Sequence, residues 1–359
     1  MSNLELPSRS IAVVVIEASI CVALNITSLI GNSLVCVAAY RNLNLRSTTN
    51  LYIIALAVSD LLVATIEIPL TSSTLIVGKW DFGDALCQIQ GFVAEFAYYV
   101  TPATLGLTAF NRYFKIVKTN HYNKIFSPRR SKIWLSCLWL SLALYLLIVR
   151  VTNWITINFV QSFALCAFSY PSDESQIVHY CITVGLLFVA PLCIGTFSYY
   201  KIFLKTNEHQ QNVVSSLQNR TDNGALNNSV KETNLTRMLF IVAAGFLCSW
   251  IPMWAIVLWF RFSPETCPRI AALVNIFIFF FSASVNPIIY AFTNGVFRKE
   301  FRKLLCCCRK RVRMVPIVTT YKTYAWKKLN ETLLLGFCVV GYQGRHSSFG
   351  LTFPGNLSM

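Results

Sequence analysis

Seven long stretches of this chain carry almost no charge, and that leaves few folds open. They cover roughly 11–40, 50–77, 85–112, 131–152, 178–204, 236–261 and 269–293. A helix needs about 20 mostly apolar residues to cross a bilayer, and each stretch is long enough. Of the 359 residues, 55% are hydrophobic and only 13% charged. A soluble protein carries about a quarter charged residues to cover its surface, so a bilayer is the expected solvent. In lipid every backbone N–H and C=O must be satisfied internally, which leaves helices or a closed barrel. The stretches are unbroken and lack the period-two alternation of barrel strands. The expected fold class is an all-α membrane protein, a bundle of seven transmembrane helices. Pro69, Pro102, Pro191, Pro252 and Pro287 fall inside the stretches, where proline kinks a membrane helix rather than ending it.

Lysine and arginine between the stretches set the orientation. One side holds five, Arg9, Lys79, Arg150, Arg261 and Arg269; the other holds 22, between Arg41 and Arg313. Cytoplasmic loops carry the excess, so the N-terminus is expected outside the plasma membrane and the C-terminus inside. The net charge of +16 then belongs to one membrane face. It suits anionic lipid and acidic partners, not nucleic acid. The division expected is an extracellular N-terminus at 1–10, a seven-helix domain at 11–293, an amphipathic segment at 294–308 and a cytoplasmic tail at 309–359. Residues 1–10 are polar and the first apolar stretch is too long for a cleaved signal peptide. Residues 206–231 are rich in Asn, Gln and Ser and read as a flexible internal loop. The sequons at Asn219, Asn227, Asn234, Asn330 and Asn356 fall on the inner side and that at Asn25 inside the first stretch, so none is expected to be glycosylated. The apolar residues 333–342 are too few to span.

Uncommon residues recur at set places in the stretches. The first has Asn32 in "GNSLV" and the second Asp60 in "LAVSDLL". The third begins near Cys87 and ends in Asn111, Arg112 and Tyr113, and the fourth has Trp139. The fifth has Pro191 and, eight residues on, Tyr199. The sixth reads "FLCSWIP", with Phe246, Trp250 and Pro252, and the seventh ends "NPIIY", Asn286, Pro287 and Tyr290 among them. Together and in this order the set resembles the rhodopsin-like (class A) G-protein-coupled receptors over roughly 11–305.

The resemblance implies roles. Cys87 and Cys166 would form the outer disulfide, with Trp80 of "KWDFG" beside it. Asp60, Thr101, Ser282 and Asn286 would share a cavity for an allosteric sodium ion. The family more often has Ser at the position of Thr101 and Asn at that of Ser282. Arg112 would be restrained in the resting state and released toward a heterotrimeric G protein on activation. Family members usually have Asp before this arginine, where Asn111 stands, so the restraint would lean on Glu232 at the start of the sixth stretch. Tyr199 and Tyr290 would swing inward on activation, and Phe246 and Trp250 would form a packing switch beneath the ligand. Blander readings exist for each: a hydrogen-bonded core carboxyl at Asp60, a solvated helix-start acid at Glu232, and ordinary packing for the aromatics. After the seventh stretch, Phe297, Phe301, Leu304 and Leu305 alternate with basic residues as in an interfacial eighth helix. Cys306, Cys307 and Cys308 follow, suited to palmitoylation.

The ligand is less legible. Aminergic receptors carry Asp in the third span where Ala94 stands, and opsins carry Lys in the seventh where Phe280 stands, so no retinal is expected. A pocket of Glu95, Tyr98, Met253, Trp254 and Ile276 is aromatic and apolar, as for a small molecule or short peptide. Glu67 and Glu95 would suit a cationic or hydrogen-bond-donating ligand, unless they pair with each other or with Arg150. "NRYFKIV…HYNKIFS" resembles melatonin-type receptors; peptide and nucleoside receptors are further candidates. Arrestin and a receptor kinase are family partners. Two rival classes fit less well. A secondary transporter would show inverted repeats around a midplane site. An intramembrane enzyme would need a nucleophile–base pair or metal cluster in the spans, and the four histidines sit near loops or tails.

Overall fold

A computed structural model describes residues 4–45, 47–216, 223–263 and 266–313, the side chains of 44, 209–239 and 307–313 excepted. The chain divides into a main unit, Met1–Arg309, and a second, Lys310–Met359. The elements below belong to the first, apart from the last residues of the final helix. The side chains of Glu232, Cys307, Cys308, Asn227 and Asn234 are among those excepted, and Asn219, Asn330, Asn356 and the apolar residues 333–342 lie outside the described residues.

The seven expected helices are present. They run Ile11–Arg41, Thr48–Val77, Gly83–Ile116, Pro128–Val151, Asp173–Ser216, Asn223–Phe262 and Arg269–Thr293. An eighth, Gly295–Arg313, follows. The fifth and sixth extend well into the polar stretch expected as loop. Serine hydroxyls start several helices: Ser10 accepts from Val13 N–H, Ser47 from Asn50 and Ser127 from Arg130. Each satisfies one of the donors that a helix N-terminus leaves over.

Among the described residues six helices are apolar enough, by length and composition alone, to cross a membrane. The third is the exception, and its position explains why. It packs against the second, fourth, fifth and sixth helices and against both strands of a small hairpin. Many of its polar residues and one charged one, Gln90, Thr101, Thr104, Asn111 and Arg112 among them, are buried in protein. A helix that meets little lipid need not be greasy all round.

Two prolines shape the helices around them. Residues Val63–Glu67 of the second helix and Thr183–Val189 of the fifth form π-helical turns. Pro69 and Pro191 follow after one intervening residue each. Proline has no N–H and its ring clashes with the carbonyl four residues back. In both cases that carbonyl, of Thr65 or Leu187, lies in the widened turn, which relieves the clash. Close approach elsewhere depends on glycine. A Cβ on Gly106 would lie 2.9 Å from Pro191 Cβ and 3.0 Å from its Cα, where the third and fifth helices touch. Gly106→Ala should therefore lower the unfolding midpoint of the purified protein, at a cost of about 1–3 kcal/mol. Gly195→Ala, in the same fifth helix, adds a Cβ with nothing within 4 Å. It should leave the midpoint unchanged or raise it, by up to ~1 kcal/mol of helix propensity. Equal midpoints for the two variants would mean that the helices part freely at Gly106.

Between the fourth and fifth helices a hairpin forms, which the sequence reading did not anticipate. Strand β1 (Thr156–Val160) pairs antiparallel with β2 (Leu165–Ser169), Phe159 opposite Cys166. The N-terminal residues are also tied down. Leu6 N–H donates to Gly78 O (2.8 Å) and Trp80 N–H to Leu4 O (2.9 Å), and Leu6 is buried. Arg9 bonds Glu17 (2.7 Å) and the Leu75 carbonyl (2.9 Å), and Arg269 of the seventh helix forks onto both Glu17 oxygens (2.9 and 3.2 Å). Residues expected as a polar N-terminal segment are thus a fixed part of this end of the bundle. At the opposite end Phe297 and Phe301 of the eighth helix are buried, and Glu300 accepts from Asn42 (3.1 Å) and Lys303 (2.7 Å). The Lys303 ammonium holds the Glu300 carboxyl below the usual carboxylate range.

Candidate functional site

Cys87 and Cys166 are bonded, joining the start of the third helix to β2 with Cα atoms 5.3 Å apart. Trp80 is buried nearby, its ring 5.1 Å from Phe82 and 5.9 Å from Phe159, its indole N–H donating to Gly83 O. Gln90 reinforces the same junction. Its Nε2 donates to Thr71 Oγ1 (3.2 Å) and the Glu67 carbonyl (3.4 Å), and its Oε1 accepts from Cys166 N–H (3.0 Å). One side chain therefore fastens the second helix, the third helix and the hairpin.

Below the hairpin lies a small cavity of about 70 Å³. Four of the expected pocket residues line it: Glu95, Tyr98, Trp254 and Ile276. Met253 is fully buried but is not on its wall. Glu67, Arg261 and Asn275 also line it. Glu67 comes last in the π-helical turn of the second helix, and its side chain is fully buried. Arg150 does not meet either acid; its Nε donates to Gln88 (3.1 Å).

Glu95 is well supported. The Tyr99 hydroxyl and the Phe168 backbone bond it, and the Arg261 guanidinium lies near. Tyr99 also meets His179 Nε2 at 3.0 Å, and Tyr145 meets His179 Nδ1 at 2.9 Å. Both ring nitrogens of this buried histidine are thus engaged by phenol hydroxyls. Arg261 is held over Tyr170 (5.4 Å) and Phe260 (5.6 Å), as a guanidinium favours aromatic faces.

The cavity floor leads inward. Tyr98 lies 5.3 Å from Trp254 and Phe279 and 4.8 Å from Trp250, and Trp250 stacks on Phe246 at 4.6 Å. Deeper still, Asn286 donates to buried Asp60 at 3.0 Å. Ser282 Oγ bonds its own helix at Phe279 O (2.8 Å). Among the described residues no hydrogen bond joins Thr101 or Ser282 to Asp60, so of the four expected together the structure links two. Asn32 donates to Ala283 O (2.9 Å), tying the first helix to the seventh, and Trp139 donates to Thr104 (3.2 Å).

At the basic end Asn111 and Arg112 are both fully buried. Asn111 Oδ1 accepts from Thr49 Oγ1 (3.3 Å), and its Nδ2 reaches the Tyr122 hydroxyl (3.5 Å) on a short loop helix, Thr119–Ile125. The amide in place of the family's acid therefore links the second helix to that loop. Tyr113 packs on Phe197 (5.6 Å), Tyr199 on Phe240 (5.8 Å) and Tyr290 on Phe297 (5.7 Å). Pro252 and Pro287 lie within their helices, and Cys306 is exposed.

A larger cavity, about 640 Å³, lies between the third, fifth and sixth helices beside Pro191 and Phe246. Its wall is almost wholly apolar and holds no charged residue. The convergent polar groups that give a site specificity are in the smaller one.

The sequence profile described as "7 transmembrane receptor (rhodopsin family)" matches residues 31–290. Melatonin receptor type 1B-B of Danio rerio is 27% identical over 304 residues, 83% of each chain. Neuropeptide FF receptor 2 of Rattus norvegicus is 26% identical over 306 residues, 79% of this chain and 71% of its own. Octopamine receptor beta-1R of Drosophila melanogaster is 26% identical over 83% of this chain and 63% of its own. Squid rhodopsin has the same fold, with a TM-score of 0.74 at 23% identity over 85% of this chain and 93% of that one.

Proposed function

The chain belongs to the rhodopsin family of seven-transmembrane receptors, and from that premise we propose that it is a plasma-membrane receptor that activates heterotrimeric G proteins. The disulfide end faces outward and the basic end the cytoplasm, following the lysine and arginine distribution. A small molecule or short peptide enters below the hairpin and presses on Tyr98 and Trp254. The observation that carries this reading is the aromatic column Tyr98, Trp250, Phe246, which runs from the cavity wall into the core. A ligand that displaces Tyr98 must move Trp250, and the sixth helix can swing outward about Pro252. Arg112, Tyr199 and Tyr290 then meet the G protein.

The relatives named above are receptors called after melatonin, a neuropeptide and octopamine, so kinship alone leaves the ligand open. Arrestin and a receptor kinase would act on the cytoplasmic face, and palmitate on Cys306, Cys307 and Cys308 would fasten the eighth helix to lipid. The test is a ligand-library screen in cells, reading activation across a panel of Gα subunits at matched surface expression. A chain that reaches the surface and activates no Gα with any ligand, and none without one, would overturn the assignment.

The Asp60 pocket fits a small hard cation in part. It offers the buried Asp60 carboxylate with Asn286 bonded to it; Thr101 and Ser282, which do not bond Asp60 here, would have to supply the remaining oxygens. Bound sodium would supply charge compensation for Asp60 in the resting state. Asp60→Asn should then abolish the sodium dependence of agonist affinity. Wild-type affinity that ignores sodium at constant ionic strength would remove the ion from the reading.

A further inference from the structure

The small cavity has more carboxyl groups on its wall than guanidinium groups to pair them. Two carboxylates, Glu67 and Glu95, face one guanidinium, Arg261. Glu95 has the Tyr99 hydroxyl, the Phe168 backbone and the nearby Arg261. Glu67 has none of these. Its side chain is fully buried, and neither carboxylate oxygen finds a hydrogen-bond partner among the described residues. Protonation would give Glu67 one O–H to place but would still leave its second oxygen without a donor. Asn275, on the same wall, has an Oδ1 that likewise lacks a donor.

Buried polar groups are nearly always satisfied, and an unpaired buried charge is among the costliest features a fold can carry. Glu67 is not placed there by chance of packing. It closes a π-helical turn, and such turns recur at functional sites. Its backbone carbonyl is separately engaged by Gln90, so the fold holds the residue in place without using its side chain. On one side the wall offers acceptors, Glu67 Oε1 and Oε2 and Asn275 Oδ1, whose complement is a positively charged group bearing N–H donors. Around them Tyr98, Trp254 and Phe279 supply aromatic faces, and Tyr98 Oη and Trp254 Nε1–H, also without partners, can bond a polar atom elsewhere on the same ligand.

We infer that the ligand of this cavity is a compact ammonium compound, its charged nitrogen held by Glu67 and Asn275 and its apolar body lying on Tyr98, Trp254 and Phe279. The inference rests on the receptor reading of the same cavity. An anionic ligand, or one without N–H or O–H groups, would leave Glu67 buried and unpaired; a neutral donor would satisfy it more weakly, and a cation supplies both donors and charge, giving the strong kind of hydrogen bond.

The experiment uses the full-length receptor purified into lipid nanodiscs. Thermal unfolding is followed with phenethylamine, tryptamine and histamine, each against the alcohol that replaces its ammonium group by hydroxyl. A bound ligand raises the midpoint by mass action. At least one amine should half-saturate this rise at a concentration tenfold or more below its alcohol. Glu67→Gln should erase the gap, while Glu67→Asp should keep part of it. Glu67→Gln without ligand should unfold at or above the wild-type temperature, because it loses an unpaired charge. The inference fails if no amine outperforms its alcohol, or if Glu67→Gln keeps the full gap. It fails too if Glu67→Gln is markedly less stable or cannot be purified, since the carboxylate would then be structural. Ligand-free nucleotide exchange on added Gα, in the same nanodiscs, tests the receptor reading separately. Exchange without amine preference sinks the cation alone; amine preference without exchange sinks the receptor reading alone.

Discussion

Arg112→Ala should abolish G-protein activation while leaving ligand affinity within a few-fold of wild type. The side chain is fully buried at the basic end of the third helix, remote in the fold from the cavity residues Glu67 and Glu95, which sit at the disulfide end. Its loss removes the charge that the proposed mechanism presents to the G protein. Agonist-stimulated nucleotide exchange, at matched surface expression, should fall 100-fold or more. Two further variants address the resting state. Asn111 accepts from Thr49 and reaches Tyr122. An aspartate there keeps the first bond, allows the Tyr122 hydroxyl to turn and donate, and adds a carboxylate beside Arg112. Asn111→Asp should therefore lower agonist-free exchange, and Glu232→Ala, which removes the proposed tether, should raise it. A restraint of about 1–3 kcal/mol moves a two-state equilibrium roughly five- to 150-fold, which sets the scale. Unchanged basal exchange in Glu232→Ala would eliminate the tether. Full coupling in Arg112→Ala would eliminate the mechanism.

Removing the disulfide is the second large effect expected. The bond closes a loop 79 residues long, and chain entropy for such a loop amounts to about 4 kcal/mol, within the 2–5 kcal/mol typical of native bridges. The geometry adds a local consequence. Cys166 sits on β2, whose neighbours Leu165 and Ala167 line the cavity. Without the bond, hydrogen bonds from Gln88 to Ile157 O and from Cys166 N–H to Gln90 are what fasten the roof to the third helix. Cys87→Ala and Cys166→Ala should each cut surface expression severely and lower the midpoint of any protein recovered. The double variant should be no worse than either single one, because the two cysteines act as a unit. Single variants that reach the surface and respond to ligand normally would show the bridge to be dispensable.

The bundle was legible because crossing a membrane imposes a local demand on every span. The third helix shows the limit of that rule. It was found by length and by the residues at its ends, although its burial in protein frees it from being strongly apolar. The disulfide pair, the Asp60–Asn286 contact and the Trp250 column were reached through family resemblance, not through hydropathy. What escaped depends on contacts between distant residues. The hairpin at Thr156–Ser169 carries only two five-residue strands, and alternation in "TINFV" was its sole sequence signal. The strap from Leu4 to Arg9 is fixed by Gly78, Glu17 and Leu75, none of which marks the N-terminus as ordered. Glu67 could be placed in the outer half of the bundle but not aimed. Its direction is set by a widened turn, for which Pro69, two residues on, was the available hint. Asn111 was read as a missing charge; its bonds to Thr49 and Tyr122 give it a positive task that no local pattern could reveal.

That widened turn also bears on how such a chain can change by descent. A π turn contains one residue more than the α-helical turn it replaces. Loss of a single codon within 63–67 would let the helix close regularly, with Ile68–Val77 still able to seat against its neighbours. The side chain delivered to the cavity would be a different one. Substitution alters one chemical group at a time, whereas an insertion or deletion here exchanges which position of the helix is on offer. Ligand preference among descendants of this chain could therefore diverge by single-residue length changes, and receptors aligned without a gap at this turn would be compared at the wrong residue.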